Sequence, residues 1–344
     1  MTYYAALDVS LRSVAICIID DQGAICLERT VGSEVSDIVA CLSGFDQPIE
    51  TVGFEAGTLS QYLAQGLQSD DFEVVCLEAR QVSAALSAMR NKTDKNDARG
   101  IAQILRTGWY ARVHVKSRAS HYSRVLLSSR KAVLQKCIDL ENEIRGLFKV
   151  FGIKLPASCG HGPFDARVRP LIEQDADLAE ALLPVLEARL MLYRTYLVLD
   201  RRVKQEARND AVCRQLMTVP GVGPITALTF KAAVDDPRRF RRSRTVGAHF
   251  GLTPRRHQSG EHDNPGRISK AGDADVRAAL YAAANALMGR TQRWSALKAW
   301  GLRLQRTKGR RRMLVAIARK LAVIMHRMWI DGSTFRWGKE AEAV

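Results

Sequence analysis

Two apolar runs, Tyr3-Tyr-Ala-Ala-Leu-Asp-Val9 and Ser13-Val-Ala-Ile-Cys-Ile-Ile19, follow one another almost at once, and the turn Asp20-Asp-Gln-Gly23 leads into a third run at residues 24–30. Short apolar runs separated by tight turns predict an antiparallel meander. Outward from there the pattern changes. Residues 35–44 predict a helix, 51–55 a fourth strand, 59–67 a helix with apolar residues at helical spacing, 72–77 a fifth strand, and 93–107 another helix. Three strands and then alternating helix and strand is the element order of an RNase H-like α/β domain, a mixed sheet with helices on its faces.

Beyond this domain the chain reads as mainly helical. Residues 119–151 and 176–210 are long stretches with few breakers. Leu126, Val133, Leu134, Ile138, Leu140, Ile144 and Leu147 recur at steps near three and four, as do Leu178, Leu182, Leu186, Leu190, Tyr193 and Leu197. An antiparallel helical hairpin or coiled-coil arm fits this spacing, and so does an ordinary helical core. Pro156, Gly160-His-Gly-Pro163 and Pro170 break the helix between the two stretches, and Pro184 must kink the second or delay its start. The last third opens on Leu216–Phe230, then predicts short helices, a polar loop at 253–275, and helices at 275–289 and 309–330. The expected layout is an α/β domain at 1–117, a helical arm at 118–212 and a mainly helical domain at 213–335.

The chain has 344 residues, is 47% hydrophobic and carries a formal net charge of +16. Such a composition excludes a mostly disordered chain. The charge is uneven: residues 1–100 carry −8, 101–200 carry +5 and 201–344 carry +19. An acidic front and a strongly basic back predict a polyanionic partner, nucleic acid, for the back half, with a solvated basic surface as the alternative. No run approaches the roughly 18 uninterrupted apolar residues of a membrane span, and the N-terminus lacks the pattern of a signal peptide. Seven cysteines form no CxxC pair, and Cys17, Cys26 and Cys76 sit in apolar runs. Together these predict a reducing, cytoplasmic setting without a disulfide framework.

Four carboxylates stand out. Asp8 sits inside an apolar strand and Glu55 closes another. Burying a carboxylate is costly without a compensating metal or donor. Asp94 and Asp97, three apart at a predicted helix start, share one face about 5–6 Å apart, although either alone also suits an exposed helix cap. Two strand-end carboxylates facing a helix-borne pair make an oxygen-only cage suited to Mg²⁺ and to phosphoryl chemistry. In Pro220-Gly-Val-Gly223, the glycines Gly221 and Gly223 lie in a turn between helices whose amide donors can hold a nucleic-acid backbone without reading sequence. A plain helix–helix turn is the alternative. Ser259 lies in a Gly-flanked loop amid Arg255, Arg256, His257, Arg267 and Lys270. Basic side chains there neutralise phosphate oxygens, so the loop reads as a phosphate site, with or without nucleophilic chemistry at the serine. Ser243 reads as a helix start and Ser269 as a phosphate or support contact.

Four blocks, Ala6-Leu-Asp-Val-Ser10, Gly53-Phe-Glu-Ala-Gly57, Asn91–Arg99, and Val219–Gly223 continuing to Phe250–Gly260 and Ile268–Gly272, run in one order over most of the chain. In this the sequence resembles the DEDD transposases of the insertion sequence 110 family, bridge-RNA-guided serine recombinases. The resemblance implies an N-terminal RuvC-like domain, a coiled-coil arm and a C-terminal transposase domain with a helix-hairpin-helix-like motif. It implies Asp8, Glu55, Asp94 and Asp97 as the metal-binding tetrad and Ser259 as the nucleophile. It also implies donor and target DNA, a structured noncoding guide RNA and a homo-oligomer, dimer or tetramer, acting at the bacterial nucleoid. The alternatives are a RuvC-type junction nuclease, in which water attacks and no covalent link forms, and a non-catalytic nucleic-acid scaffold.

Overall fold

The computed structural model describes residues 1–89, 91–156, 159–259 and 262–338, with the side chains of 256–259 and 262–265 outside that description. The chain divides into two compact units, Met1–Arg118 and Ala119–Val344. No helix among the described residues is long and apolar enough to cross a membrane.

The first unit contains β1 (Tyr3–Val9), β2 (Ser13–Ile19), β3 (Ile25–Gly32), α1 (Val35–Ser43), β4 (Ile49–Glu55), α2 (Ser60–Ser69), β5 (Val74–Leu77), α3 (Ala79–Leu86) and α4 (Asp94–Thr107). The sheet order is β3-β2-β1-β4-β5. β1, β2 and β3 pair antiparallel, as the tight turns require, while β4 and β5 join parallel to β1 through helical crossovers. This is the mixed sheet that the element order predicts.

Strand alternation divides the unit into two cores. Leu7, Ile16 and Phe54 face α1 and α2, where Ile38, Leu42, Leu63 and Leu67 cover them. Ala6, Ala15, Cys17, Val75 and Leu77 face α4, where Ala98, Ile101, Ala102 and Leu105 close the other side. Small residues let α4 come close: a Cβ on Gly53 would lie 2.5 Å from the Leu105 side chain. One strand differs from its expected environment. β3 is an edge strand with mostly exposed residues, and Cys26 on it is exposed, whereas the other six cysteines are buried and all seven are free.

The second unit opens with α5 (Arg118–Phe148), α6 (Phe164–Ile172) and α7 (Ala176–Asn209). α5 and α7 run antiparallel. Ser123 donates to Glu206, the Arg130 guanidinium reaches Asp200 at 2.7 Å, and Arg189 reaches Glu141 at 2.9 Å. The seam is therefore polar along much of its length, while Leu147 and Leu197 are exposed. An apolar core sits at one end, where Ile144, Phe148, Phe164, Leu182 and Leu186 pack. α7 begins at Ala176 under an Asp175 cap and runs through Pro184, so the proline does not delay the helix start. α6 occupies part of the segment expected to be broken, with Pro170 inside it.

Then come α8 (Ala211–Leu216), α9 (Pro224–Val234), α10 (Arg244–His249), β6 (Pro254–Ser259), β7 (His262–Ile268), α11 (Ala274–Gly289), α12 (Ala296–Lys308) and α13 (Arg310–Asp331). Phe230, Phe250, Leu280, Leu287, Ile317 and Leu321 lie in their shared core, through which α13 runs. The polar loop expected at 253–275 instead holds an antiparallel hairpin, with Pro254 opposite Ile268 and Ser259 opposite His262. The residues between carry no apolar alternation, the signal by which a strand is read from sequence.

Candidate active site and nucleic-acid interface

β1 and β4 are parallel neighbours with Leu7 opposite Phe54. The next residues, Asp8 and Glu55, therefore stand side by side at the carboxyl ends of two strands, on the face that α4 covers. α4 starts there. Thr93 caps it by accepting from the Asn96 amide, and Asp94 and Asp97 occupy its first turn, where the helix dipole favours negative charge. Asp97 lies one turn before Ile101, which is buried against the sheet, so the same face aims Asp97 at the strand ends. The tight seat of Leu105 over Gly53 sets how closely that helix approaches.

The electrostatics agree with this placement. The Asp8 carboxyl is pushed up to about 6, first by burial, then by the charges of Asp97, Asp94 and Glu55, with Lys92 opposing. Burial also raises Glu55; Lys92 pulls it down, and Asp97 and Glu78 push it up. Asp8 thus feels the other three sequence-predicted carboxylates, and Glu55 feels Asp97. Among the described residues they do not close into a finished metal cage. Like charges without a cation repel, so an open arrangement is the expected resting geometry. The donors are all oxygens and carry a destabilised charge, which fits a hard divalent cation. Sequence reading missed two neighbours. Lys92 is one residue from the capping threonine, and Glu78 accepts from the Gln81 amide to cap α3.

In the second unit the turn between α8 and α9 holds the two glycines, and they differ. Gly221 has φ +86, and a Cβ there would meet the Ala283 carbonyl oxygen at 2.3 Å and the Leu287 nitrogen at 2.8 Å. Its lack of a side chain is required by packing on α11. A larger residue at Gly221 therefore disturbs the fold and not only the approach of a phosphate. Gly223 has open space where a Cβ would go. It is the N-cap of α9, makes no side-chain cap, and precedes Pro224 at the first helical position. The opening of this helix is thus the side of the turn that a phosphate can approach.

Ser259 ends β6, next to the hairpin turn. Its side chain and that of Arg256 lie outside the described residues, as does Gly260. At the hairpin root, Arg255 is exposed and donates to the Ser269 carbonyl at 3.3 Å, and Arg267 and Lys270 are exposed. Ser269 accepts from the Ala271 amide and so shapes its own turn. Arg277, not singled out from sequence, donates to the Phe250, Ala271 and Gly272 carbonyls and pins the two loops from which the hairpin springs. Ser243 lies 3.0 Å from Nδ1 of the buried His326, whose Nε2 lies 2.8 Å from the Pro237 carbonyl. Burial is the main cause that lowers the His326 pKa, so this imidazole is neutral near pH 7 and ties α10 to α13.

Comparison with known proteins matches both units. Residues 5–152 match a family model described as a transposase of the DEDD type of IS110, and residues 213–301 match one described as the transposase IS116/IS110/IS902 family. The transposase for insertion sequence element IS1111A of Coxiella burnetii is 32% identical over 72% of this chain and 69% of its own. The candidate transposase y4pF/y4sB of Sinorhizobium fredii is 28% identical over 84% of this chain and 75% of its own. The transposase for insertion sequence element IS1328 of Yersinia enterocolitica is 26% identical over 71% and 74%. With its acidic strand ends under α4 and both family models matched in order, this chain belongs to the IS110 family of transposases, enzymes of DNA transposition.

Proposed function

We propose that the chain cuts and rejoins DNA strands of a mobile element through a covalent phosphoserine link at Ser259, with Asp8, Glu55, Asp94 and Asp97 holding Mg²⁺. The observation that carries this reading is that Asp8, at a strand end beside Glu55, is left hard to ionise by burial and by the charges of Asp97, Asp94 and Glu55. A divalent cation bound there would neutralise charge on phosphoryl oxygens and make a hydroxyl proton easier to lose. Ser259 Oγ then bonds to a DNA phosphorus, the P–O3′ bond breaks, and the hydroxyl proton is exchanged for one on the departing 3′ oxygen. The 3′-hydroxyl of the partner strand attacks the phosphoserine in the reverse step and restores the serine. One phosphodiester is exchanged for another, so no nucleoside triphosphate is consumed. The exposed Arg255, Arg267 and Lys270 near the hairpin root, with Arg256, supply positive charge for the phosphate; one lost donor of this kind costs about 10²–10³ in rate.

The same reading assigns residues 1–117 to the metal chemistry, 118–212 to an arm and 213–335 to nucleic-acid contact and the nucleophile. Donor and target DNA are selected by pairing with a structured noncoding RNA, and the chain works as a dimer or tetramer. The basic second unit and the open N-terminus of α9 support polyanion binding. Labelled nicked DNA incubated with protein and Mg²⁺ and run on a denaturing gel tests the chemistry. A covalent adduct that disappears in Ser259→Ala is the expected result. Cleavage without an adduct overturns the serine step in favour of attack by water, and an adduct that persists in Ser259→Ala moves the nucleophile elsewhere, with Ser269 next in line.

A further inference from the structure

The second unit holds a groove of about 650 Å³ that none of these roles uses. Its floor is apolar, built on Trp300, Ala316 and Val323, and Pro254 and Ile268 from the hairpin root close one side. Its rim is basic: Arg244, Arg312, Arg319 and Lys320. Among the described residues no carboxylate lines it. Arg319 is held by close packing, since a Cβ on Gly247 would lie 2.9 Å from its Cγ. A neighbouring opening shares Arg244 and Val323 and adds Arg242, so the positive track continues past the groove.

Two properties together select the occupant. Clustered cations without an acidic partner repel one another, and a polyanion offsets that cost. An apolar floor carrying a half-buried indole is wasted on phosphates, which need donors and water. A flat, apolar-faced group carrying phosphates on both sides satisfies floor and rim at once. The volume lies in the range of pockets that enclose small ligands. Stacked duplex presents only its phosphates to such a groove; an unstacked base presents its face.

We propose that this groove seats an unstacked base of a single-stranded nucleic-acid segment, with Trp300 against the base and Arg244, Arg312, Arg319 and Lys320 on the flanking phosphates. The inference rests on the nucleic-acid reading of the second unit. It places the strand at the root of the hairpin, roughly 17 Å along β6 from Ser259 at strand spacing.

The test uses the full chain and a short oligonucleotide carrying 2-aminopurine, single-stranded or in duplex. Stacking on an aromatic ring quenches this base, so quenching is expected with the single strand and not with the duplex. Trp300→Leu keeps apolar volume but loses the flat ring. It is expected to weaken single-strand binding roughly tenfold, the order of one stacked base, with the salt slope unchanged and duplex binding held. Ala316→Phe, which fills the floor, is expected to do the same and serves if Trp300→Leu folds poorly. Arg312→Gln with Arg319→Gln is expected to lower the single-strand salt slope by roughly 1.4. Photocrosslinking of a 5-iodouracil oligonucleotide to the wild-type chain is expected to map to Trp300. Quenching that survives both floor substitutions, or crosslinks that map outside the groove, overturns the base pocket. Polyglutamate that competes as well as the single strand, with equal loss in Trp300→Leu, also overturns it and indicates an acidic protein partner. Failure to bind any oligonucleotide overturns the nucleic-acid reading itself.

Discussion

Asp8 carries an electrostatic cost that the proposed metal role would turn to use. Its carboxyl is raised to about 6 from 3.8 by burial and three like charges. A group whose folded value lies above its unfolded value stabilises the fold most when protonated, so the metal-free protein gains stability as pH falls from above 6 towards 4. A divalent cation bound as proposed would have to displace that proton, so its affinity is expected to weaken over the same window. Asp8→Asn removes the charge and keeps the shape. In EDTA at pH 7.5 the variant is expected to melt about 2–4 °C above wild type, without the acid-side gain, and to have lost strand exchange. Differential scanning calorimetry across pH 5–8 checks the first part and a plasmid recombination assay the second; a variant that melts lower, or recombines normally, contradicts the placement of Asp8 among the four carboxylates. The position was legible in sequence because an aspartate between Leu7 and Val9 is costly to bury, although alone it also suits a strand-end turn. The roles of Lys92 and Glu78 were not, since an exposed lysine and a strand-end glutamate look ordinary until the fold sets them beside the cluster.

At the scale of elements, the two glycines of the turn between α8 and α9 meet different surroundings. Gly221 faces the α11 backbone, whereas the Cβ direction of Gly223 opens to free space. Gly221→Val is therefore expected to cost several kcal/mol through overpacking and a strained positive φ, seen as low soluble yield or a melting point lowered by more than 10 °C. Gly223→Ala is expected to fold normally and to bind DNA more weakly, as filter binding at fixed salt would show; a normal Gly221→Val melt, or unchanged binding by Gly223→Ala, contradicts the division. The glycines were legible as a pair, but only the α11 contact tells them apart, and residues 283 and 287 are too distant in sequence to suggest it. The five strands of the first unit were legible because four of them are buried and apolar. The hairpin of β6 and β7 was hidden because its run, Arg255-Arg-His-Gln-Ser259 and His262-Asp-Asn-Pro-Gly-Arg267, offers no apolar face and includes Pro265. The arm was half legible. Its heptad-like leucines marked two helices, while the contacts that join them are Arg130 to Asp200 and the buried Arg189 to Glu141, polar pairs that periodicity of apolar residues does not report.

For the whole molecule the decisive fact is that the carboxylates and the serine belong to separate compact units, one acidic and one basic. A chain that has lost Asp8 keeps an intact second unit, and a chain that has lost Ser259 keeps an intact first. Neither change touches the core of the unit it spares, so each variant is expected to keep whatever oligomer the wild-type chain forms. Mixing Asp8→Ala protein with Ser259→Ala protein therefore asks which chains cooperate in one reaction. If the carboxylates of one subunit serve the serine of another, a mixed dimer still holds one complete set. Random pairing at equal amounts puts about half of all dimers in that mixed form, so activity should recover to no more than about a quarter of wild type, with one productive set where wild type has two. The recovery should peak at equal mixing and vanish at either extreme. If each subunit serves itself, every subunit in every mixture lacks one half of the chemistry, and recovery stays at zero at all ratios. Differently tagged chains that co-purify establish that mixed oligomers form. Recovery at zero with co-purification shown rejects sharing between subunits while leaving the roles of Asp8 and Ser259 standing, because the adduct assay on each single variant reads those roles independently.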